Sequence, residues 1–372
     1  NLLKDEAIFM MVTGEQSYEQ VVSAVELVPD DYIIKPFSPD KLLLRLARIM
    51  AKKDFFADYY REKRQQEYAR ALALLAAKRD SEAGRPYRFE ILRQQAETLL
   101  ASGDAVGAEG AYRDILNNYE FPWARAGVAR SLHQQSRHGE AREEIDRVVA
   151  STPHYFDAVD LKANICIAQG ETEEAQRVLD EAAKKTPRNY LRKRLLAEAA
   201  TLNGDTETAR IAMGDVIAND SMPGAVSAAD KLSHARTHVA SNDKISAEKV
   251  LVGMRESEVQ NLTLDEQASF AALLAIASPE KGKSKFAGLR PALISAALET
   301  TARLDILRAA MVLNDRELAD QQAAQTMAGP DAKKSFNSVR TLYALHGREM
   351  DFREIQKQVA LRRIHHDEPN GT

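Results

Sequence analysis

The apolar run Ala7, Ile8, Phe9, Met10, Met11 and Val12 stops at Thr13 and Gly14, a pattern that predicts a buried parallel strand. Residues 17–27 then place Tyr18, Val21, Val22 and Val25 on one helical face. Pro29, Asp30 and Asp31 make a turn, and Tyr32, Ile33, Ile34 and Lys35 read as a second short buried strand. Ser38 is placed to cap a helix over residues 39–50, with Pro39 at its first position and Leu42, Leu43, Leu46 and Ile49 along it. The order strand, helix, strand, helix is one half of a doubly wound sheet. Residues 52–79 contain neither Pro nor Gly, and apolar positions recur at Phe55, Tyr59, Tyr68, Leu72 and Leu75. One long helix, or two broken near Arg64, is expected there, ended by the turn chemistry of residues 81–86.

Beyond this point a period takes over. Ala108, Ala141, Ala175 and Ala209 recur at separations of 33, 34 and 34 residues. Turns expected at Gly103-Asp104, Gly139-Glu140, Gly170-Glu171 and Gly204-Asp205 precede them. Tyr112, Ile145, Leu179 and Met213 follow four residues later, and Pro122, Pro153 and Pro187 close successive units. A small residue at a helix crossing, a bulky one a turn later and glycine at the helix end describe stacked helical hairpins. From residue 89 to about 220 the pattern resembles the tetratricopeptide repeat (TPR) family, although Ser221 stands where a further proline is expected. From residue 225 the period fades. Residues 246–251 and 318–327 look like further second helices and 352–363 like a terminal helix. Residues 278–285 look like a basic, glycine-containing loop, and 368–372 like a frayed tail.

The first fifty residues resemble the C-terminal half of a CheY-like response-regulator receiver domain. Thr13 matches the hydroxyl residue at the end of the family's fourth strand, which contacts the phosphoryl group. Lys35, Pro36 and Phe37 match the Lys-Pro-Phe after its fifth strand, and Tyr32 the switch aromatic. The family's acidic, Mg²⁺-binding pair and its phospho-accepting aspartate would fall before Asn1. The resemblance therefore implies Mg²⁺ only for an intact receiver, and no cofactor for this chain. Asp31 and Arg45 occupy positions resembling those of cross-dimer ion pairs in DNA-binding response regulators, while Val21 and Lys41 lack the matching charges.

Together these readings predict a mainly α chain: an α-α superhelix of TPR-like hairpins after a partial α/β, flavodoxin-like receiver remnant. The expected divisions are 1–50 (receiver half), 51–86 (connecting helices), 87–224 (TPR repeats) and 225–372 (divergent TPR-like helices).

Composition narrows the function classes. With 44% hydrophobic and 28% charged residues among 372, the chain is too apolar for disorder and too charged for a membrane protein. A net charge of −4 argues against a nucleic-acid-binding surface over the whole chain. Cys166 is the only cysteine, so an intrachain disulfide is impossible and a reducing, cytoplasmic setting fits. Cys166 itself reads as a small core residue on the first helix of a repeat. His234 and His238, one helical turn apart, have zinc-pair spacing but no evident third ligand. His365 and His366 read as a solvated pair, and the lysines of 281–285 as a solvated run without interleaved aromatics. No nucleophile elbow or phosphate-cradling loop is present, so catalysis and a resident metal are not expected.

Registering the repeat on its crossing alanines turns Arg93, Trp123, Arg130, His133, Asn164, Arg194 and Glu198 toward a peptide groove. Three arginines there would suit an acidic or carboxylate-bearing peptide. The reading is a bacterial, non-catalytic two-component response regulator whose output is protein binding through its repeats. A constitutive TPR scaffold is the alternative. Expected partners are proteins on the concave face, a cognate histidine kinase if the receiver is intact, and a second copy of the chain; membrane and nucleic acid are not expected.

Overall fold

The computed structural model describes residues 7–14, 29–218, 226–295 and 297–367. The helix expected over residues 17–27, Ser221 and the tail 368–372 lie outside the described residues, as do the side chains of His365 and His366. The chain divides into two compact units, one of Asn1–Ile165 with Glu181–Asn189, the other of Cys166–Asp180 with Tyr190–Thr372.

The first unit opens with two strands, β1 (Met10–Thr13) and β2 (Asp31–Ile34), paired in parallel from Met10 opposite Asp31 to Thr13 opposite Ile34. The sequence pattern predicts both to be buried. Among the described residues each strand has one neighbour, and of the two only Ile33 is fully buried. Helix α1 (Pro39–Arg64) starts where the sequence places it, with the Ser38 hydroxyl accepting from the Lys41 N–H. It does not stop near Met50. With no Pro or Gly to end it, it runs for 26 residues and carries the connecting segment with it. It breaks at Gln66, whose φ is 62°, and α2 (Tyr68–Arg79) turns back. Phe56 and Tyr59 on α1 close a small core with Ala71, Leu75 and Ile91. After a short 3-10 turn come α3 (Arg88–Ala101), α4 (Ala105–Leu116), α5 (Pro122–Gln134) and α6 (His138–Ser151). Helices α7 (Phe156–Gln169) and α8 (Thr172–Lys185) have their residues shared out between the two units.

The second unit continues with α9 (Tyr190–Asn203), α10 (Thr206–Ala218), α11 (Ala228–Ala240), α12 (Lys244–Val252) and the short α13 (Glu256–Gln260). Then follow α14 (Leu264–Ala277), α15 (Pro279–Ser295), α16 (Thr300–Val312), α17 (Arg316–Ala328), α18 (Ala332–Leu345) and α19 (Glu349–Asp367). One apolar cluster extends from Leu232 to Val359.

A single turn recurs along the chain. Gln66, Gly103, Ser136, Gly170, Gly204, Asn242, Asn314 and Gly347 all have φ between 57° and 88°. In each case the following residue donates its N–H to the carbonyl five positions earlier, for example Asp104 to Leu99 and Asp315 to Ala310. That bond, with a left-handed residue just past the helix, is the Schellman closure. Five positions after each left-handed residue stands a buried one: Ala71, Ala108, Ala141, Ala175, Ala209, Ala247, Ala319 and Phe352.

Two sequence expectations are corrected here. The left-handed position before Ala141 is Ser136, not Gly139, which sits inside the first turn of α6. The segment 278–285 is not a loop, because Ser278 leads straight into α15 with Pro279 at its first position. Gly282 falls 35 residues after Ala247 and 37 before Ala319, at the crossing position of the α14/α15 hairpin. A Cβ there would lie 2.3 Å from the Ala275 nitrogen.

Ser136 pays the usual L-residue penalty for a left-handed backbone. Ser136→Gly is therefore expected to stabilise the protein by about 1 kcal/mol, read as a raised urea midpoint at unchanged m. An unchanged or lower midpoint would count against the turn geometry.

Candidate functional site

At the N-terminus, Thr13 ends β1 and Lys35 follows β2, and the Lys35 N–H donates to the Thr13 carbonyl at 2.7 Å. Lys35 is exposed and Tyr32 half-buried. Asp31 and Arg45, the candidate dimer contacts, bond to each other within the chain at 2.6 Å. Arg45 also donates to the Tyr32 carbonyl at 2.9 Å.

The residues predicted to line one groove fall into two groups. In the first unit, α3 and α5 are the first helices of adjacent hairpins. Arg93 on α3 is paired with Glu97 at 2.7 Å, and its guanidinium lies 5.6 Å from the centre of the Trp123 ring. Trp123 is half-buried on α5, stacked on Phe121 at 5.4 Å and edge-on to Tyr112 at 6.4 Å. Gly127 admits that packing, since a Cβ there would lie 2.4 Å from the Tyr112 ring. Arg130 is exposed and makes no hydrogen bond or ion pair with any described residue. Arg130, His133 and Gln134 face Glu97, Leu100 and Ala101 across an open cleft of about 660 Å³. The His133 Nδ1 is 3.1 Å from the His138 Nδ1, and burial, then His138, lowers the His133 pKa. Asn164 is half-buried on α7 and is not among the residues lining this cleft.

In the second unit, Arg194 and Glu198 on α9 both line a cavity of about 300 Å³ bounded by α9, α10, α11, α16 and α18. Each already has a partner. Arg194 donates to both Asp230 oxygens, at 2.6 and 2.9 Å, and Glu198 accepts from Lys334. Arg236 makes a forked bond to Asp305 at 2.6 to 3.0 Å and donates to the Ser233 hydroxyl at 3.2 Å. Burial pulls the Arg236 pKa down, but Asp305 more than offsets it and the net shift is upward. Arg308 shares the cavity and has no hydrogen-bond or ion-pair partner among the described residues.

The sequence reading picks out Arg194 and Glu198 but misses Arg236, Asp305, Arg308 and Lys334. One signal is available. Ala302, Asp305, Ile306 and Ala309 occupy an i, i+3, i+4, i+7 stripe, so α16 carries a carboxylate on its core face.

The two His234 and His238 Nε2 atoms stand 3.2 Å apart, and His238 Nδ1 lies 3.3 Å from Asp243. Cys166 is buried, as expected of a core residue. Its thiol and carboxylate oxygens of Glu171 and Glu174 lie within 4.8 Å of one another, the one group of three metal-capable side chains among the described residues. Burial first, then His238 and Arg210, lowers the His234 pKa from 6.5 to about 4. A base depressed in the folded state takes up protons preferentially in the unfolded state. Its contribution to stability is complete above pH 6.5 and is lost as pH falls toward 4. The urea midpoint should fall across that window, and His234→Gln should flatten the slope; identical slopes would contradict the packing.

No helix among the described residues is long and apolar enough to cross a membrane. No protein-family model matches the chain, and no curated protein does. Solved structures similar to it include a tetratricopeptide repeat protein from Parabacteroides merdae, 12% identical, covering 73% of this chain and 98% of that one at a TM-score of 0.45. PilF of Pseudomonas aeruginosa is 16% identical, covering 74% and 99% at 0.41. The C-terminal part of a TPR repeat-containing protein from Cytophaga hutchinsonii is 13% identical, covering 67% and 99% at 0.41. The turn repeated along the chain makes it a helical-hairpin repeat protein.

Proposed function

We propose that the protein is a non-catalytic adaptor that binds another protein through the first-helix face of its hairpins. The observation that carries this reading is the α3/α5 cleft, where an exposed Arg130 without a partner stands beside His133. Arg93 and the half-buried Trp123 lie on the same two helices. An arginine that no neighbour neutralises is available to a partner's carboxylate, and a tryptophan held by Phe121 and Arg93 is a pre-ordered anchor.

Immobilised full-length chain, wild type against Arg130→Glu and Trp123→Ala, tests it in lysate of the source cell by quantitative mass spectrometry. A protein held by wild type and reduced at least tenfold by both variants is expected. Equal capture by all three baits contradicts the assignment.

A second reading, a response regulator switched by phosphorylation, draws support from the N-terminal strands. They end with Thr13 on one strand and Lys35 just past the other, joined by a backbone hydrogen bond. In that reading a histidine kinase phosphorylates an intact receiver, with Mg²⁺ bound there, and the hairpins respond. Phosphotransfer to the full-length gene product, abolished by Lys35→Ala, would favour it over the constitutive adaptor.

A further inference from the structure

The cavity in the second unit has an unbalanced charge. Four cations and three carboxylates line it: Arg194, Arg236, Arg308 and Lys334 against Glu198, Asp230 and Asp305. Three pairs form, Arg194 with Asp230, Arg236 with Asp305 and Lys334 with Glu198. Arg308 is left over. It makes no hydrogen bond or ion pair with any described residue. Arg308 is half-buried, and burial lowers its pKa despite Asp305 nearby. It is one of the residues that line the cavity. A partly buried cation with unused donors is costly for the folded chain unless something completes it.

The remaining wall narrows what that something is. The Thr201, Thr237 and Ser335 hydroxyls donate to the carbonyls of Ala197, His234 and Asp331, while Thr301 and Ser338 on the same wall keep hydroxyls that can donate beside Arg308. Leu195, Leu202, Met213, Leu304 and Leu342 supply an apolar surface. An excess of one positive charge suits a monoanion, and the three carboxylates would repel a second negative charge. A planar guanidinium fork suits the two oxygens of a carboxylate, and the leucines suit an organic body.

We infer that this cavity is a binding site for a small organic monocarboxylate, with Arg308 as its anchor and the leucine wall receiving its apolar part. The inference does not depend on the adaptor reading, because the α3/α5 cleft plays no part in it.

Hexanoate is a suitable probe, with hexanamide as its uncharged counterpart and chloride and phosphate as inorganic anions. Titration calorimetry and thermal melting of the full chain should show saturable binding of hexanoate and a dose-dependent rise in Tm. Hexanamide, chloride and phosphate at equal ionic strength should give neither. Arg308→Gln should weaken hexanoate at least tenfold while melting no lower than wild type without ligand. Arg308→Lys keeps the charge without the fork and should bind with intermediate affinity. Binding of hexanamide as strong as hexanoate, undiminished hexanoate binding in Arg308→Gln, or no binding of hexanoate at millimolar concentration would each overturn the assignment. A response to chloride or phosphate equal to that of hexanoate would overturn it too, by leaving a nonspecific anion effect.

Discussion

Asp305→Ala is expected to destabilise the second unit by about 3–5 kcal/mol. The Asp305 side chain is fully buried on α16 and accepts three charge-assisted contacts from Arg236 on α11. Removing it leaves Arg236 with only the Ser233 hydroxyl among the described side chains, and leaves Arg308 with the repulsion of Arg236 but without the attraction of Asp305. The desolvation already suffered by Arg236 is then uncompensated, which is why loss of one partner costs far more than the pair itself contributes. Arg236→Met combined with Asp305→Leu should recover part of the loss, since apolar side chains of similar volume need no partner. The recovery is incomplete because Arg308 also loses the favourable Asp305 field. Urea unfolding of both single variants and the double variant measures this. A loss below about 1 kcal/mol for Asp305→Ala would show that the pair is solvated and the cavity open to water.

Two glycines six positions apart on α15 should respond with opposite signs. Gly282 packs against α14, and a Cβ there would lie 2.3 Å from the Ala275 nitrogen and 2.4 Å from the Leu274 carbonyl carbon. Those are backbone atoms that no rotamer change can move, so Gly282→Ala must push the helices apart. A cost of about 1–3 kcal/mol is expected. At Gly288 nothing lies within 4 Å of the place a Cβ would take, and the residue is helical. Gly288→Ala should stabilise by about 0.5–1 kcal/mol through lower unfolded-state entropy and better helix propensity. If residues 278–285 were a solvated loop, Gly282→Ala would be near neutral. The sign difference in Tm is therefore a direct test of the α14/α15 crossing.

The hairpins are legible where the sequence spells their physics with side chains. Ala108, Ala141, Ala175 and Ala209 are small because two helices meet there, and three of their turns carry glycine because φ is positive. The period fades where other residues take the same roles. Gln66, Ser136, Asn242 and Asn314 adopt the left-handed turn without being glycine, and Gly282 replaces alanine at a crossing inside a lysine-rich stretch. Asparagine tolerates that backbone region better than most residues, so Asn242 and Asn314 are readable in principle. Gln66 and Ser136 are not, because nothing local marks them.

The candidate sites are legible only in part, for a related reason. Arg93, Trp123 and Arg130 lie within two adjacent repeats, so placing the repeat pattern brings them to neighbouring helices. The cavity gathers Arg194, Arg236, Arg308 and Lys334 from four helices in which the period is hidden. No spacing rule predicts that three of these cations find carboxylates while Arg308 does not.

The adaptor assignment is tested most directly by hydrogen exchange of the full chain alone and with the protein it captures. Slowed exchange concentrated in α3 and α5, around residues 93–101 and 123–134, is the predicted result, and Arg130→Glu should abolish it. Protection confined to other helices, or none in α3 and α5 at saturating partner, would contradict the claim that this face is where the protein binds.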